Sequence, residues 1–414
     1  MNLVKTAIES KFDTLIEWLN NQKSSIQPII YSSVDIRESA FKIASIDTNL
    51  FPAGFNNLSR HNAPLIQDAL SNFISNQCPN ASSVLLFCED HTRNTFYLEH
   101  VHQLIRLIEN TGLTVIAGSF FNEHPQVCES SGFLDLQTAG GHALKLYCLN
   151  YILNNQKKFN FDFCLLNNDL SDGKFEALTQ LNTPIIPNPN CGWHSRKKSV
   201  HIQALNDVTN AMVSECNLPI DPWKLSSLFK SVNSVNINEA EDREQLADAA
   251  SDLFKQIKQK YNEHGITDEP YAVLKSDNGT YGMGIIKITS PDDIRLLNRK
   301  NRNKLFKGKS AIPINHLIIQ EGIPSNKIID DCASEEVLYQ VNGSTIGGFY
   351  RMHKEKTNKD ILNAKGMQFK AFPSDFHHQL TSTTSHHLPS GVSKVSLVIA
   401  QLANLSAQKE PEYA

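Results

Sequence analysis

The chain has 414 residues, 40% hydrophobic and 20% charged, with 39 Lys plus Arg against 43 Asp plus Glu for a net charge of -4. That balance excludes a dedicated nucleic-acid binder and makes small molecules the default ligands. The length allows about two or three domains, enough for two substructures that share a cleft.

In chain order, residues 3–19 place apolar side chains at 3, 4, 7, 8, 12, 15, 16 and 19, a helical stripe without the h-region of a signal peptide. No later segment approaches the roughly 20 apolar residues of a membrane span. Residues 83–120 predict a strand, "SVLLFCED", a helix stopped at Gly112, "TFYLEHVHQLIRLIENTG", and a second strand, "LTVIAGSF". That is a βαβ unit. The runs "FDFCLLNND", "KFEALTQLN" and "PIIPNPN" repeat the pattern and predict an open α/β sheet. Residues 195–230 read as helical, and a long amphipathic helix from 238 ends at Gly265.

From 270 onward short strand-like runs dominate, "YAVLKS", "MGIIKITS", "HLIIQEGI", "EVLYQVNG" and "IGGFYRMH", with a charged helix at 291–306. This predicts an antiparallel α+β region. Residues 372–393 lack apolar periodicity, and their four histidines suit a solvated loop better than a metal site. A last helix, "SKVSLVIAQLANLSAQKE", closes the fold. Eight cysteines, at 78, 88, 128, 148, 164, 191, 216 and 332, form no C-x-x-C, and several sit inside apolar runs. They read as reduced, buried thiols, and the expectation is a cytoplasmic protein.

The stretch "YAVLKSDNGTYGMGII" puts Lys275 on a strand ahead of Gly279, Gly282 and Gly284. A Walker A loop needs its lysine after the glycines and a helix next, and a dinucleotide fingerprint needs G-x-G-x-x-G opening a helix. Neither fits. A hairpin that folds over a nucleotide does fit, with Lys275 aimed at phosphate oxygens and glycines letting backbone N–H groups approach; a flexible hairpin with a solvated lysine would look the same from this stretch alone. Alternation puts Tyr271, Val273 and Lys275 on one face. Further on, "HLIIQEGI" ends a strand with Gln320 and Glu321, where backbone groups can meet an adenine edge and Glu321 a ribose hydroxyl. A plain strand end reads the same way. The next hairpin, turning at "NGS", presents Glu335, Glu336, Arg351 and Asn363: oxygen ligands of the kind Mg²⁺ takes beside phosphates, and an arginine suited to a phosphoryl charge or to a surface ion pair.

In the first half, "DIRESAFKIASIDTNLFPAGFNNLSRHN" crowds Arg37, Asn49, Asn56, Asn57 and Arg60 around Pro52 and Gly54, a substrate loop or a polar surface loop. "EDHTRN" follows a strand, so Glu89, His91, Arg93 and Asn94 lie at its carboxyl end, where open α/β sheets hold ligands. "GWHSRKKSVH" offers Arg196, Lys197 and Lys198, and the basic run 295–309 reads as a solvated helix before an RNA patch.

The words "TNLFPAGFNN", "EDHTRNTFYLEH", "LLNNDLS", "GWHSRKKSVH", "DPW", "KSDNGTYGMGI", "QEGI", "GGFYR" and "LNAKGM" resemble, over about residues 35–370, a bacterial family of glutamate-cysteine ligases of the ATP-grasp type. The resemblance implies an ATP-grasp fold with an N-terminal open α/β substrate-binding domain, an α/β plus α+β chain. It divides the protein into 1–190 for substrates, 191–268 as a mainly helical connection, and 269–414 for the nucleotide, with the C-terminal helix. It implies ligation of L-glutamate to L-cysteine with ATP and Mg²⁺, the first step of glutathione biosynthesis. Lys275 and Arg351 would be catalytic. Lys275, Gly279, Tyr281, Gly282, Gly284, Gln320 and Glu321 would hold ATP, and Glu335 and Asn363 the metal. The substrates would meet Arg37, Asn49, Asn56, Asn57, Arg60, His91, Arg93, Asn94 and Arg196. The chain departs from the family pattern at Glu336, Ile361 and Lys365, and lacks the E-x-N metal motif of many ATP-grasp ligases. Another carboxylate–amine ligase, a glutathione synthetase or peptide-tail ligase among them, stays open, as does a non-catalytic ATP-binding scaffold. Nucleic acid and membrane are not expected partners; the oligomeric state is open, a homo-oligomer included.

Overall fold

A computed structural model describes residues 3–121, 124–173, 176–279, 284–306, 315–373 and 388–411. α1 (Leu3–Ser10) and α2 (Phe12–Lys23) realise the N-terminal stripe and bury Val4, Ile8, Leu15 and Leu19. β1 (Tyr31–Glu38), β2 (Ile43–Asn49) and α3 (Ala63–Gln77) follow. The predicted βαβ unit is β3 (Ser83–Cys88), α4 (Thr95–Glu109) and β4 (Thr114–Ser119), with parallel strands. Asn94 opens α4 by accepting a hydrogen bond from the Tyr97 N–H at 3.1 Å. Asn94→Ala is expected to cost about 1 kcal/mol of stability, seen as a lower urea midpoint; an unchanged midpoint would mean that the cap does nothing.

Sequence reading missed what comes next: α5 (Pro125–Glu129), the hairpin β5 (Phe133–Gln137) and β6 (Ala143–Cys148), and α6 (Leu149–Asn154). These runs are short and half exposed, so their periodicity is weak. β7 (Phe163–Asn167) and β8 (Ile185–Ile186) are parallel as expected, but the helix foreseen at 174–182 is, among the described residues, a 3-10 turn at Leu178–Gln180. α7 (Lys198–Glu215) fills only part of the span 195–230; Pro219 and Pro222 cannot continue a helix, and β9 (Phe229–Asn233) takes the end of that span.

α8 (Ala240–Glu263) stops as predicted, with the Ile266 N–H donating to the Tyr261 carbonyl at 2.8 Å and Gly265 at φ 63°. β10 (Ala272–Ser276), β11 (Ile286–Ile288) and β12 (His316–Glu321) follow the predicted runs, while the single helix expected at 291–306 is two short ones, α9 (Asp292–Arg295) and α10 (Arg299–Phe306), broken at 296–298. β13 (Ile328–Ile329), β14 (Cys332–Val341), β15 (Ser344–His353), β16 (Gln368–Ala371) and α11 (Lys394–Gln408) complete the chain. The four histidines of the 372–393 stretch lie outside the described residues. In the basic run, Arg295 pairs with Glu244 at 2.7 Å and with Asp292 at 2.9 Å on the surface.

The strands form three sheets. A mostly parallel sheet has the order β5-β6-β4-β3-β7-β8; a four-stranded antiparallel sheet runs β11-β10-β12-β9; a long antiparallel sheet runs β16-β15-β14-β1-β2, with β13 on β14. β1 and β2 thus belong to the same sheet as β14 and β15, across the 1–190 and 269–414 division. Each face of that sheet has its own task, because side chains alternate. Val34, Ile36 and Leu338 face α1, α2 and α11, whereas Tyr31, Val337 and Tyr339 face the parallel-sheet region. In the four-stranded sheet, Ala272, Leu274, Leu317 and Ile319 pack on α8, which leaves Val273, Lys275, Ile318 and Gln320 for the other face.

α11, the predicted last helix, is buried along its length, from Val395 to Gln408. Small and apolar residues all round suit a helix enclosed on every side. Some of its polar atoms are paired, Gln401 donating to Thr345 Oγ1 at 3.0 Å and Ser32 to Asn404 Oδ1 at 2.9 Å, while Gln401 Oε1, Asn404 Nδ2 and Gln408 Oε1 have no partner among the described residues. The expectation of reduced thiols is corrected at one pair: Cys128 in α5 and Cys148 at the end of β6 form a disulfide, with Cα atoms 5.5 Å apart. The tertiary fold brings them together; their separation of 20 residues carries no motif. Cys78, Cys88, Cys164, Cys191, Cys216 and Cys332 are free thiols, five of them buried. Among the described residues no helix is long and apolar enough to cross a membrane.

Candidate active site

The polar face of the long sheet is built by register. Glu335 lies opposite Arg351, Val337 opposite both Asp35 and Phe349, and Asp35 opposite Asp47, so these residues point the same way. A bulge makes this possible: Asp35 pairs with Asp47 and Ile36 with Ser45, which leaves Ile46 unopposed and flips the rest of β2. Arg351 bonds Asp35 at 2.6 Å and Glu335 Oε1 at 2.7 Å, and Arg37 Nε bonds Glu335 Oε2 at 2.7 Å. Two carboxylates thus face two guanidinium groups, all of them buried. Burial pushes the Asp35 carboxyl up in spite of Arg351. Burial works the same way on Glu335, yet Arg37 and Arg351 together hold it below the usual carboxylate range.

The four-stranded sheet meets this face at Lys275. Its Nζ donates to the carbonyl of the bulged Ile46 at 3.3 Å, a group the ladder leaves over. Asp47 beside it bonds Lys198 Nζ at 2.6 Å, and Lys198 lies 4.0 Å over the Trp193 ring. Burial lowers the Lys275 pKa to about 8, opposed by Asp47 and assisted by Lys198. These side chains line a small pocket, which Gln320 and Arg196 also border. The strand after Lys275 is stitched to the start of α7: Asp277 accepts from the Ser199 N–H and hydroxyl, both at 2.7 Å, and Asn278 donates to the Arg196 carbonyl at 3.1 Å. A carboxylate at a helix N-terminus neutralises its exposed N–H groups. "KSDNG" and "GWHSRKKSVH", separate words in sequence, therefore build one corner.

Gly279 has φ 112° with open space where a Cβ would sit, so its backbone angle and not crowding calls for glycine. Gly284 has φ 70°, while Tyr281 and Gly282 lie outside the described residues. Gln320 donates to Ser227 Oγ at 2.9 Å on the Lys275 face. Glu321 turns to the opposite face, against the expectation that its carboxylate meets a ribose. It accepts from Lys42 Nζ at 2.9 Å, from the Leu228 N–H at 3.0 Å and from Trp223 Nε1 at 3.0 Å. Arg196, expected to bind substrate, is 1% exposed and bonds Glu410 at 2.7 and 2.8 Å and the Thr48 carbonyl at 2.6 Å.

The other predicted substrate residues fall into two places. Arg37 sits in the buried charge network and also donates to the carbonyls of Ile323 and Asp360, at 3.3 and 2.8 Å. Asn49 ends β2 opposite Ser33. Asn56 and Asn57 form a half-buried 3-10 turn, and Arg60 is exposed beyond it. That loop rests on the carboxyl ends of the parallel strands, since Asn167, the last residue of β7, donates to the Pro52 carbonyl at 3.2 Å and meets His100 at 2.9 Å. Tyr339, from the face that carries Glu335, donates to the Ala53 carbonyl and so links the loop to the charge network. After β3, Glu89 accepts from the Asp169 N–H at 2.8 Å, His91 stands edge-on to Tyr97, and Arg93 is exposed. β3 has β4 on one side and β7 on the other, which makes these strand ends a topological switch point. Asn94 is used by the α4 cap.

The expected metal ligands do not fit Mg²⁺ as they stand. Both oxygens of Glu335 are taken by guanidinium groups, so a divalent ion there would have to displace an arginine. Asn363 is half buried in the bend after β15, and Glu336 points to the opposite face and pairs with Lys327. The sequence reading passed over Asp35, Asp47, Trp193 and Glu410. Alternation in "SIDTN" marks Asp47, but the bulge that aims it is a long-range feature; nothing local marks Glu410 as the partner of Arg196.

A family model for glutamate-cysteine ligase matches residues 5–411. A crystal structure from Methylobacillus flagellatus KT, provisionally described as a gamma-glutamylcysteine synthetase, is 32% identical and superposes with a TM-score of 0.83 over 98% of this chain and 95% of that one. D-alanyl-alanine synthetase A of Vibrio cholerae O1 is 11% identical over 66% of this chain and 68% of its own, with a TM-score of 0.29. D-cycloserine synthetase DcsG is 10% identical over 71% and 76%, with a TM-score of 0.35. At those scores neither bears on the argument. No curated protein matches the sequence significantly. The protein is therefore an enzyme of the ligase class. It belongs to the glutamate-cysteine ligase family, which forms γ-glutamylcysteine in glutathione biosynthesis, and ATP is its expected energy source.

Proposed function

We propose that the chain uses ATP to activate the γ-carboxylate of L-glutamate as an acyl phosphate, which the amine of L-cysteine then attacks, on an ATP-grasp scaffold. A carboxylate does not acylate an amine at neutral pH because oxide would have to leave. The phosphoryl group that ATP supplies makes that oxygen a good leaving group. The observation that carries this reading is the buried Lys275 ammonium, which spends one donor on the Ile46 carbonyl and, among the described residues, keeps two for phosphate oxygens.

In this reading Lys275, with Lys198 beside it, neutralises phosphate charge in a site of low dielectric. Arg351 is fixed by Asp35 and Glu335, and its buried Nε, which has no partner among the described residues, is the donor left for the transferring phosphoryl. Backbone N–H groups from Gly279 to Gly284, with Tyr281 and Gly282 between, cover the phosphates and keep water from the acyl phosphate. Gln320 borders the nucleotide, and Glu321 acts indirectly, by fixing the end of β12 through Lys42 and Trp223. Asn49, Asn56, Asn57, Arg60, His91, Arg93 and the 1–190 region supply the amino-acid side; the 269–414 region supplies the nucleotide side. No step is assigned to Glu335-bound or Asn363-bound Mg²⁺. ATP and free amino acids as substrates fit a cytoplasmic setting.

ADP release from the full chain tests the reading. Release is expected with glutamate plus cysteine and not with γ-glutamylcysteine plus glycine. Release with the second pair alone would overturn the substrate assignment, and ATP binding without any amino-acid-dependent release would leave a non-catalytic binder.

A further inference from the structure

The hairpin that sequence reading missed meets α4 at a group of side chains that the ligase reading does not use. Glu99 and His102 lie one turn apart on α4, and His142 follows the β5–β6 turn. One ligand atom from each of the three lies within 4.8 Å of the others. The two imidazoles are stacked, with centroids 4.3 Å apart and planes within 6°. His142 Nε2 is 3.8 Å from Glu99 Oε1. We propose that Glu99, His102 and His142 form a binding site for a divalent transition-metal ion of the Zn²⁺ type.

The turn is built to hold these atoms. The Gly140 N–H donates to Glu99 Oε2 at 2.9 Å, which leaves Oε1 toward the histidine. A Cβ on Gly140 would stand 2.9 Å from Glu99 Oε2 and 3.2 Å from His142 Nε2, so both side-chain ends lie close against the turn backbone. His142 is fixed through its own backbone, donating to Thr138 Oγ1 at 3.1 Å and accepting from the Thr138 N–H at 3.0 Å. The Ala139 N–H ties the same turn to the Thr95 carbonyl at 3.0 Å. Hydrogen bonds to a ligand's second atom orient it toward a metal.

The donor set selects the ion. Two imidazole nitrogens and a carboxylate oxygen suit Zn²⁺ and its neighbours in the first transition row, whereas Mg²⁺ and Ca²⁺ prefer oxygen alone. The carboxylate and one ring are in the protonation states a metal needs: the Thr138 hydroxyl holds Glu99 below the usual carboxylate range, and burial lowers His102. The side chain of His142 is 50% exposed, which gives its ring room to turn onto the ion and gives the ion a way in. A second cluster, Asp221, Glu263 and His264, differs in one respect. There Lys260 Nζ already sits 2.7 Å from Asp221 and 3.2 Å from Glu263, so a cation occupies the place.

Calorimetric titration of the chelator-stripped full chain with Zn²⁺, and separately with Mg²⁺, tests the site. Wild-type protein is expected to take up Zn²⁺ at this site and to show no Mg²⁺ binding there. His102→Ala and His142→Ala are each expected to weaken Zn²⁺ by 10-fold or more. Glu99→Gln keeps an acceptor for the Gly140 N–H and is expected to weaken it too, while Asp221→Asn leaves it unchanged. His142 is half exposed, so its variant keeps the fold, which circular dichroism checks. No Zn²⁺ binding to the wild type, or Zn²⁺ bound as tightly by the doubly substituted His102→Ala, His142→Ala chain, would overturn the proposal, and neither result touches the ligase reading.

Discussion

Lys275→Ala is expected to lower ligase turnover by on the order of 10²-fold or more, the usual consequence of removing one preorganised charge donor from a reacting centre. The fold is expected to survive. Burial depresses this lysine from 10.5 to about 8, so the folded state disfavours its charged form. The sign follows: the group costs stability below pH 8, and the cost fades as pH rises from 8 toward 10.5. Alanine therefore removes a destabilising charge rather than a stabilising contact. The same shift predicts an alkaline limb in kcat/KM near pH 8, where the free enzyme loses the ammonium, and the limb disappears in the variant. ADP release and a thermal melt on the same preparation make the measurement. Wild-type turnover in the alanine variant would remove Lys275 from the chemistry.

Glu410→Ala carries the second large effect, on stability. Both oxygens of Glu410 bond Arg196, at 2.7 and 2.8 Å, and Oε1 also meets His201 Nδ1 at 2.6 Å, all in the interior. Removing the carboxylate strands a buried guanidinium, and breaking one partner of a buried pair costs about 3 to 5 kcal/mol. The acid limb of stability should change as well. Burial would raise the Glu410 pKa, but Arg196 and His201 lower it to about 2 from 4.5, so its contribution is complete above pH 4.5 and is lost as pH falls through 2. Urea unfolding at pH 7 and pH 3 reads both effects. An equal midpoint for wild type and variant at pH 7 would show that the pair does not hold the tail to α7. Because Arg196 borders the pocket, a rise in KM with a smaller change in kcat is the expected kinetic companion.

Much of the architecture is legible before any coordinates. The period of 3.6 residues marks α1, α2, α4 and α8, and Gly112 and Gly265 mark two of their ends. Alternation puts Val273 and Lys275 on one face of their strand, and the structure agrees because β10 is regular between Ala272 and Ser276. Local physics suffices where a segment's own pattern decides which side is buried. The disulfide and the β5–β6 hairpin escaped because their signals are short or have no motif.

The site is where local reading runs short. Glu321 and Gln320 are neighbours in sequence, and the pleat alone sends them to opposite faces; which face meets the pocket depends on where α8 packs. Arg196 stands among basic residues that sequence alone leaves to solvent or substrate, yet its partner lies at Glu410, 214 residues away. Asp35 and Arg37 join Glu335 and Arg351 only because β1 pairs with β14.

The sequence by itself determined the family, the kinds of element and the chemistry available to this protein: a lysine before a glycine hairpin, carboxylates and arginines on strands. Tertiary structure alone decided which charges neutralise one another and which keep a donor free. Periodicity is a property of a few consecutive residues, whereas the balance of a buried charge depends on groups that meet only when distant strands and helices close around it.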